Sequence, residues 1–437
     1  MSALSRGLAP RMSPLSPKRS ATIAALDIGT RKVSCTIARL KPLRNGDAID
    51  GRSHSIEVLG LGQVRASGIK AGAIADLARA EECVRQAVSL AEQMAGVEIA
   101  SVVLALSGGR IGGESYSASV QLNGPSVEQH DIAQVLDAAS LHSIRDGRAV
   151  LHSLPVNYVL DGNRGIREPR GMLANDLAVD LHVVTADLPA LRNLVLCVER
   201  CHLTVEGVVA APYAAGLAVL TGDEVELGAT VIEFGAGTTT LAAFVGGHCV
   251  HVDGIALGGQ HITTDLARGL SLRLSDAERL KILHGSVIGY TSDDHDMISV
   301  PTFEGDIEAP DAVARSRIVA VTRPRAEEIL ELLRERMKEA GVFGEPSRQI
   351  VLTGAGAELT GLADLVSRMF GRTARIGRPF GVSGLKDWDA GPGFAVAAGL
   401  LVYPQYADRE HFEPRRRRAG EPGGYFIQMG RWLRESF

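Results

Sequence analysis

Three strand–glycine turns hold the residues of this chain best suited to chemistry: DIGTRK (27–32), EFGAGTTT (233–240) and TGAGAE (353–358). A turn of this kind offers backbone N–H groups and hydroxyls to phosphate oxygens. Glycine lets the main chain approach where a Cβ would collide. Asp27-x-Gly29 and Glu233-x-Gly235 hold matching places in two strand–turn–strand units. Two carboxylates facing one phosphate site suit Mg²⁺, which keeps much of its hydration and needs few protein ligands. The third turn lies between a strand and a helix, a place that can pass under a base and ribose. None of the three is a Walker A loop or a dinucleotide GxGxxG. A single glycine hairpin is commonplace, so the weight rests on their order along the chain, with each acid in register. That register reads as an internal duplication.

The elements that must position these turns follow from hydrophobic pattern. ATIAALDI (21–28) is a buried-strand run, VSCTIARLK alternates as its hairpin partner, and SIEVLGLGQV (55–64) adds a third strand. Residues 74–96 show helical spacing and end on Gly96. From about 97 to 181 the texture changes to a small α+β insertion, after which the main lobe resumes. A long helix is expected over roughly Ala312 to Ala340, and GPGFAVAAGLLVY (391–403) closes the globular part. With 437 residues the chain exceeds one hydrophobic core, so two lobes are expected.

Composition narrows the function class. Hydrophobic residues at 45% and charged residues at 22% are ordinary for a soluble globular protein, and a net charge of −5 argues against general nucleic-acid binding. Five scattered cysteines fit a reducing compartment without a disulfide frame. Cys197, Cys201 and His202 have metal-like spacing, but an amphipathic helix around them makes core packing the reading adopted. No apolar stretch is long enough to span a bilayer. Residues 1–20, basic and rich in Ser and Pro, read as a disordered tail, and 404–424, with Arg415 to Arg418, as a flexible linker. In YFIQMGRWLRESF (425–437), Phe426, Met429, Trp432, Leu433 and Phe437 share one side of a helix, opposite Arg431 and Arg434. So short a helix is marginal in water and suited to folding on anionic lipid. The competing reading is a terminal helix docked on its own protein.

The motif order resembles the actin and sugar-kinase superfamily, and within it the FtsA family of bacterial division proteins, over residues 22–437. IASVVLALSG, LSDAERLKILHG and VLTGAGAELTGL carry the FtsA resemblance. It implies an α/β, actin-like, duplicated RNase H-like fold in which a subdomain 1C replaces 1B. The implied map is 21–96 and 182–222 for 1A, 97–181 for 1C, 223–257 and 323–390 for 2A, and 258–322 for 2B, with 391–403 returning to 1A. It also implies ATP with Mg²⁺ between the lobes. Asp27, Gly29, Thr30 and Lys32 match the first phosphate turn, and Gly235, Gly237, Thr238 and Thr239 the second. Gly354, Ala355 and Gly356 match the adenosine turn, with Glu278 and Lys281 at the ribose side; an exposed ion pair is the alternative for those two.

Asp27 and Glu233 are the Mg²⁺ candidates, acting through water. The family pattern has Asp at 233 and Gly at 236 and 355, so Glu233, Ala236 and Ala355 depart from it. The longer Glu233 implies displaced Mg²⁺ and at most slow hydrolysis, hence a switch or scaffold. The resemblance further implies self-assembly into filaments and attachment of FtsZ to the cytoplasmic face of the inner membrane at the septum, with later division proteins recruited there. Arg315 matches a basic residue of the groove for the FtsZ tail, with Arg317 nearby, or both are plain surface charges. A soluble sugar or acid kinase and a pilus-assembly platform protein are the rival readings.

Overall fold

The computed structural model describes residues 7–43, 51–140, 146–300, 311–343, 349–384 and 391–411. Two sheets repeat one topology. The first orders its strands Thr204–Ala210, Ser101–Leu106, Ala21–Ile28, Lys32–Pro42 and His54–Arg65, with Val382–Ser383 at the edge. The second begins with Thr373–Ile376, Gln349–Thr353, Ala229–Phe234, Thr239–Val245 and His248–Ile255. In both, two parallel strands lie in succession on one side of the first strand of a hairpin, and a third strand follows the hairpin antiparallel on its other side. The hairpins match residue for residue. Asp27 pairs with Ser34 and Glu233 with Thr240, each acid being the penultimate residue of its strand. The turns close alike, Gly29 N–H donating to Lys32 O and Gly235 N–H to Thr238 O, both at 3.0 Å.

The second sheet continues through a single pairing, Asp253 with Gly112, into Gly112–Gln121, Asp176–Asp187, Arg148–Leu160 and Asn163–Ile166, with helix Gln129–Ser140 packed on them. This inserted unit begins later than the sequence suggests. Strand Ser101–Leu106 pairs with Ala21–Ile28 and Thr204–Ala210 in the first sheet. Its run VVLAL is buried on both faces, the mark of a central parallel strand, whereas the insertion's ESYSASVQ alternates.

Helix Arg315–Glu339 forms because Ile318, Thr322, Ala326, Ile329, Leu330, Leu333 and Met337 recur every three or four residues and bury one face. It starts after position 312 because Asp311–Ala314 pairs as a strand with Met297–Val300. The boundary expected at 322 falls inside this continuous helix. Leu333 is wholly buried in the second-lobe core. Leu333→Ala is therefore expected to lower unfolding free energy by about 3 kcal/mol, read as a lower urea midpoint.

Both terminal expectations need correction. Residues 7–19 are docked, not a loose tail. Ala9 N–H donates to Val150 O and Val150 N–H to Gly7 O, each at 2.9 Å, while Leu8, Ala9 and Met12 are buried. A Cβ on Gly207 would sit 3.1 Å from Met12 N, so that glycine makes the slot. Residues 404–411 are likewise packed rather than linker, with Pro404, Ala407 and Glu410 buried. Arg415 to Arg418 and the helix expected at 425–437 lie outside the described residues.

Candidate functional site

The glycine turns meet in a cleft of about 400 Å³ between the lobes. Asp27, Gly29, Thr30, Lys32, Glu233, Gly235, Gly237, Thr238, Glu278, Lys281, Gly354, Ala355 and Gly356 all line it. Thr239 does not. Its hydroxyl donates to Leu257 O at 2.7 Å, on the other face of the strand. The neighbouring Thr240, buried behind the cleft wall, does not line the cleft either, but its hydroxyl holds Glu233, donating to Oε2 at 3.1 Å.

The two hairpin tips touch. A Cβ on Gly237 would lie 2.4 Å from Thr30 Oγ1, which accepts the Gly72 N–H at 3.0 Å. In the third turn Gly354 has φ +81°, and a Cβ on Gly356 would come within 2.3 Å of Phe234 Cδ1. Glycine is required at both. Ala236 and Ala355 are not among the residues with positive φ, so alanine fits both places without backbone strain.

The cleft floor gathers charge. Lys32 Nζ donates to Gly393 O at 2.7 Å and lies 4.1 Å over the Phe394 ring. Burial lowers the Lys32 pKa, while Asp27, Glu233 and Glu358 oppose that shift. Burial raises Asp27, with Lys32 opposing. Burial, joined by the charge of Asp27, pushes Glu233 up to about 7, offset in part by the Thr240 hydrogen bond and by Lys32. Two carboxylates held above their usual range, Glu233 buried and Asp27 partly so, with hydroxyls nearby, are a donor set that a divalent cation would relieve. They fit Mg²⁺, whose remaining positions water can fill.

At the rim, Lys281 Nζ donates to Glu278 Oε2 at 2.9 Å, to Thr263 Oγ1 at 2.9 Å and to Gly259 O at 3.1 Å. Their side chains are only 12% and 16% exposed, for Glu278 and Lys281 respectively, so this is a cleft pair and not a solvated one. Burial pushes the Glu278 pKa up, but Lys281, Thr263 and Arg31 together hold it below the ordinary value. Arg31 reaches Glu278 Oε1 from the first turn at 3.6 Å, an ion pair between the lobes. Sequence reasoning passed over Arg31 although it stands inside DIGTRK. It also missed the Gly393 carbonyl, which carries no side-chain signal.

Arg315 and Arg317 sit on the first turn of helix Arg315–Glu339 and do not line the cleft. Arg315 Nε bonds Asp296 Oδ2 at 2.5 Å, and Arg317 is exposed. Cys197 is fully buried in helix Leu188–Glu199.

Residues 230–399 match the family model described as cell division protein FtsA, and residues 108–185 that of an SHS2 domain inserted in FtsA. The second range begins just past Leu106, where strand pairing also leaves the first lobe. Over 431 residues the chain is 49% identical to the cell division protein FtsA of Rhizobium meliloti (strain 1021), covering 98% of each. The chain belongs to the FtsA family. It is also 32% identical to FtsA of Escherichia coli K12 over 423 residues, covering 95% of this chain and 98% of that one. A cell-division identity displaces the kinase and pilus readings.

Two solved structures share the architecture. They are the PilM–PilN type IV pilus biogenesis complex (TM-score 0.60, 18% identity, 88% and 98% coverage) and MreB5 of Spiroplasma citri bound to ADP (0.52, 15%, 90% and 98%). At such identities they show the fold alone, and with the FtsA matches it is actin-like. No helix among the described residues is long and apolar enough to cross a membrane.

Proposed function

We propose that this FtsA-family protein binds ATP with Mg²⁺ in the interlobe cleft and serves as a slowly hydrolysing, nucleotide-dependent scaffold. In this role it polymerises and tethers FtsZ filaments to the cytoplasmic membrane, where later division proteins gather. The observation that carries the reading is that Asp27 and Glu233, from duplicated hairpins, line one cleft with Lys32, whose charge acts on both. The ADP named with MreB5 of the same fold agrees with it.

The backbone N–H groups of the two glycine tips hold the phosphates, and Lys32 offsets their charge. Glu278 accepts the ribose hydroxyls while Lys281 keeps that carboxylate ionised. Bound Mg²⁺ would neutralise charge developing on the phosphates. Asp27 and Glu233 would hold it through water. Arg315 and Arg317 offer cations to the acidic tail of FtsZ. Residues 425–437, with Phe426, Met429, Trp432, Leu433 and Phe437 on the apolar side and Arg431 and Arg434 at headgroup level, bind lipid. One such anchor is weak, and a filament multiplies it by avidity.

Two measurements test this. Glu233→Asp shortens the side chain by one methylene, and turnover is expected to rise by about tenfold if placement limits the chemistry. Equal or slower turnover in the variant contradicts the role given to Glu233. In vesicle co-sedimentation with ATP, the full chain should pellet with anionic lipid and a chain ending at Gly424 should stay in solution. Pelleting of both, or of neither, removes the tether from residues 425–437.

A further inference from the structure

The docked N-terminal segment has no place in nucleotide binding, and its position beside the root of the C-terminal tail calls for one. Residues 7–19 and 403–411 run antiparallel. At one end Leu8 bridges Val150 while His411 N–H donates to Ser153 O at 2.9 Å. Midway Arg11 Nη2 donates to Ala407 O at 3.0 Å and Glu410 O at 2.6 Å. At the other end His54 joins the two. Its Nε2 bonds Arg19 O at 3.0 Å, and Gln405 Oε1 accepts the N–H groups of Ser53 and His54, each at 2.9 Å.

The C-terminal segment is firmly seated. His152 and Glu410 have fully buried side chains, with Nδ1 and Oε1 3.0 Å apart. Ala210 N–H donates to His152 Nε2 at 2.9 Å, which leaves the proton on Nδ1 to donate to Glu410. His411 Nε2 bonds Asp137 Oδ1 at 2.8 Å. His411, the last of the described residues, is therefore held at a fixed point beside the arm.

The arm leads into strand Ala21–Ile28 at the end opposite Asp27, and no residue of 7–19 or 403–411 lines the cleft. Its exposed charges are Arg11, Lys18, Arg19 and Arg409 against Asp408. Such a local excess of positive charge stands out on a chain of net charge −5. No described carboxylate forms an ion pair with Lys18 or Arg19.

We propose that the docked arm is a second contact with anionic lipid, in which Lys18 and Arg19 meet headgroup phosphates beside the point where the tail departs. This rests on the membrane reading of residues 425–437. Arg11 is a positioning residue that holds arm and tail root together. Two linked contacts on one molecule raise the effective concentration of each at the surface, and basic residues near an anionic leaflet are attracted within a Debye length.

The test is co-sedimentation of the full chain and of a full-length Lys18→Glu/Arg19→Glu variant. Vesicles containing phosphatidylglycerol are compared with vesicles of phosphatidylcholine alone. Both side chains are exposed, so thermal unfolding should coincide. The double variant is expected to need at least about tenfold more phosphatidylglycerol lipid for half-binding, the gap closing at high salt. Equal binding of variant and parent overturns the arm contact and leaves the tether standing. Failure of the parent to bind overturns the tether reading, and the arm contact with it.

Discussion

Lys32→Ala is expected to weaken ATP binding about 100-fold, on the order of 3 kcal/mol, with the fold retained. Among the described residues three cations line the cleft: Arg31, Lys32 and Lys281. Lys281 is committed to Glu278, Thr263 and Gly259 O, and Arg31 reaches the same Glu278. Lys32 is left as the cation whose field acts on Asp27 and Glu233, where the phosphates would arrive. Its removal sets a polyanion against two carboxylates in a site where burial has already reduced screening. Titration calorimetry with Mg–ATP reads the effect. Lys32→Arg should recover only part of the affinity, because a planar guanidinium replaces the compact ammonium that bonds Gly393 O. Unchanged affinity in Lys32→Ala would move the phosphates out of this cleft.

Glu233→Gln is expected to stabilise the nucleotide-free protein at pH 8 and to leave it nearly unchanged at pH 4.5. The folded-state pKa of Glu233 is pushed up to about 7, from 4.5 in an ordinary environment. A carboxyl with a raised pKa binds its proton more tightly folded than unfolded. The ionised group therefore costs nothing below the unfolded value. Its penalty grows as pH rises from 4.5 to 7 and is complete above that. The difference amounts to about 3 kcal/mol at its limit. Glutamine stays neutral throughout and can still accept the Thr240 hydroxyl. The check is urea unfolding of both proteins from pH 4.5 to 8. Parallel stability profiles would mean that Glu233 is not desolvated. Saturating Mg–ATP should shrink the gap, since a cation at the carboxylates favours their ionised form.

Much of the cleft was legible in the chain because its requirements are local. Gly354 needs its left-handed backbone, Gly356 must clear Phe234, and Gly237 must admit Thr30, so each turn declares itself in glycines. The hairpin acids fall in register because strands count residues uniformly, and Asp27 and Glu233 occupy the same rung. Uninterrupted apolar runs likewise announced the buried strands. Carrying over a motif without applying strand alternation put Thr239 in the cleft, whereas alternation sends its hydroxyl to Leu257 O, on the face opposite the Thr240 hydroxyl that holds Glu233.

What the sequence by itself determined is therefore the duplicated strand–turn–strand units, their glycines and their acids. Tertiary structure alone decided which sheet receives Ser101–Leu106, that residues 7–19 dock, and that Arg31 reaches Glu278 across the cleft. The physical reason is that pattern records how deeply a residue is buried but not against what. The polar, proline-bearing arm becomes ordered only because Gly207 leaves a slot for Met12 and Val150 offers an unpaired strand edge. Those partners lie far along the chain and come together only when the first lobe and the insertion are in place.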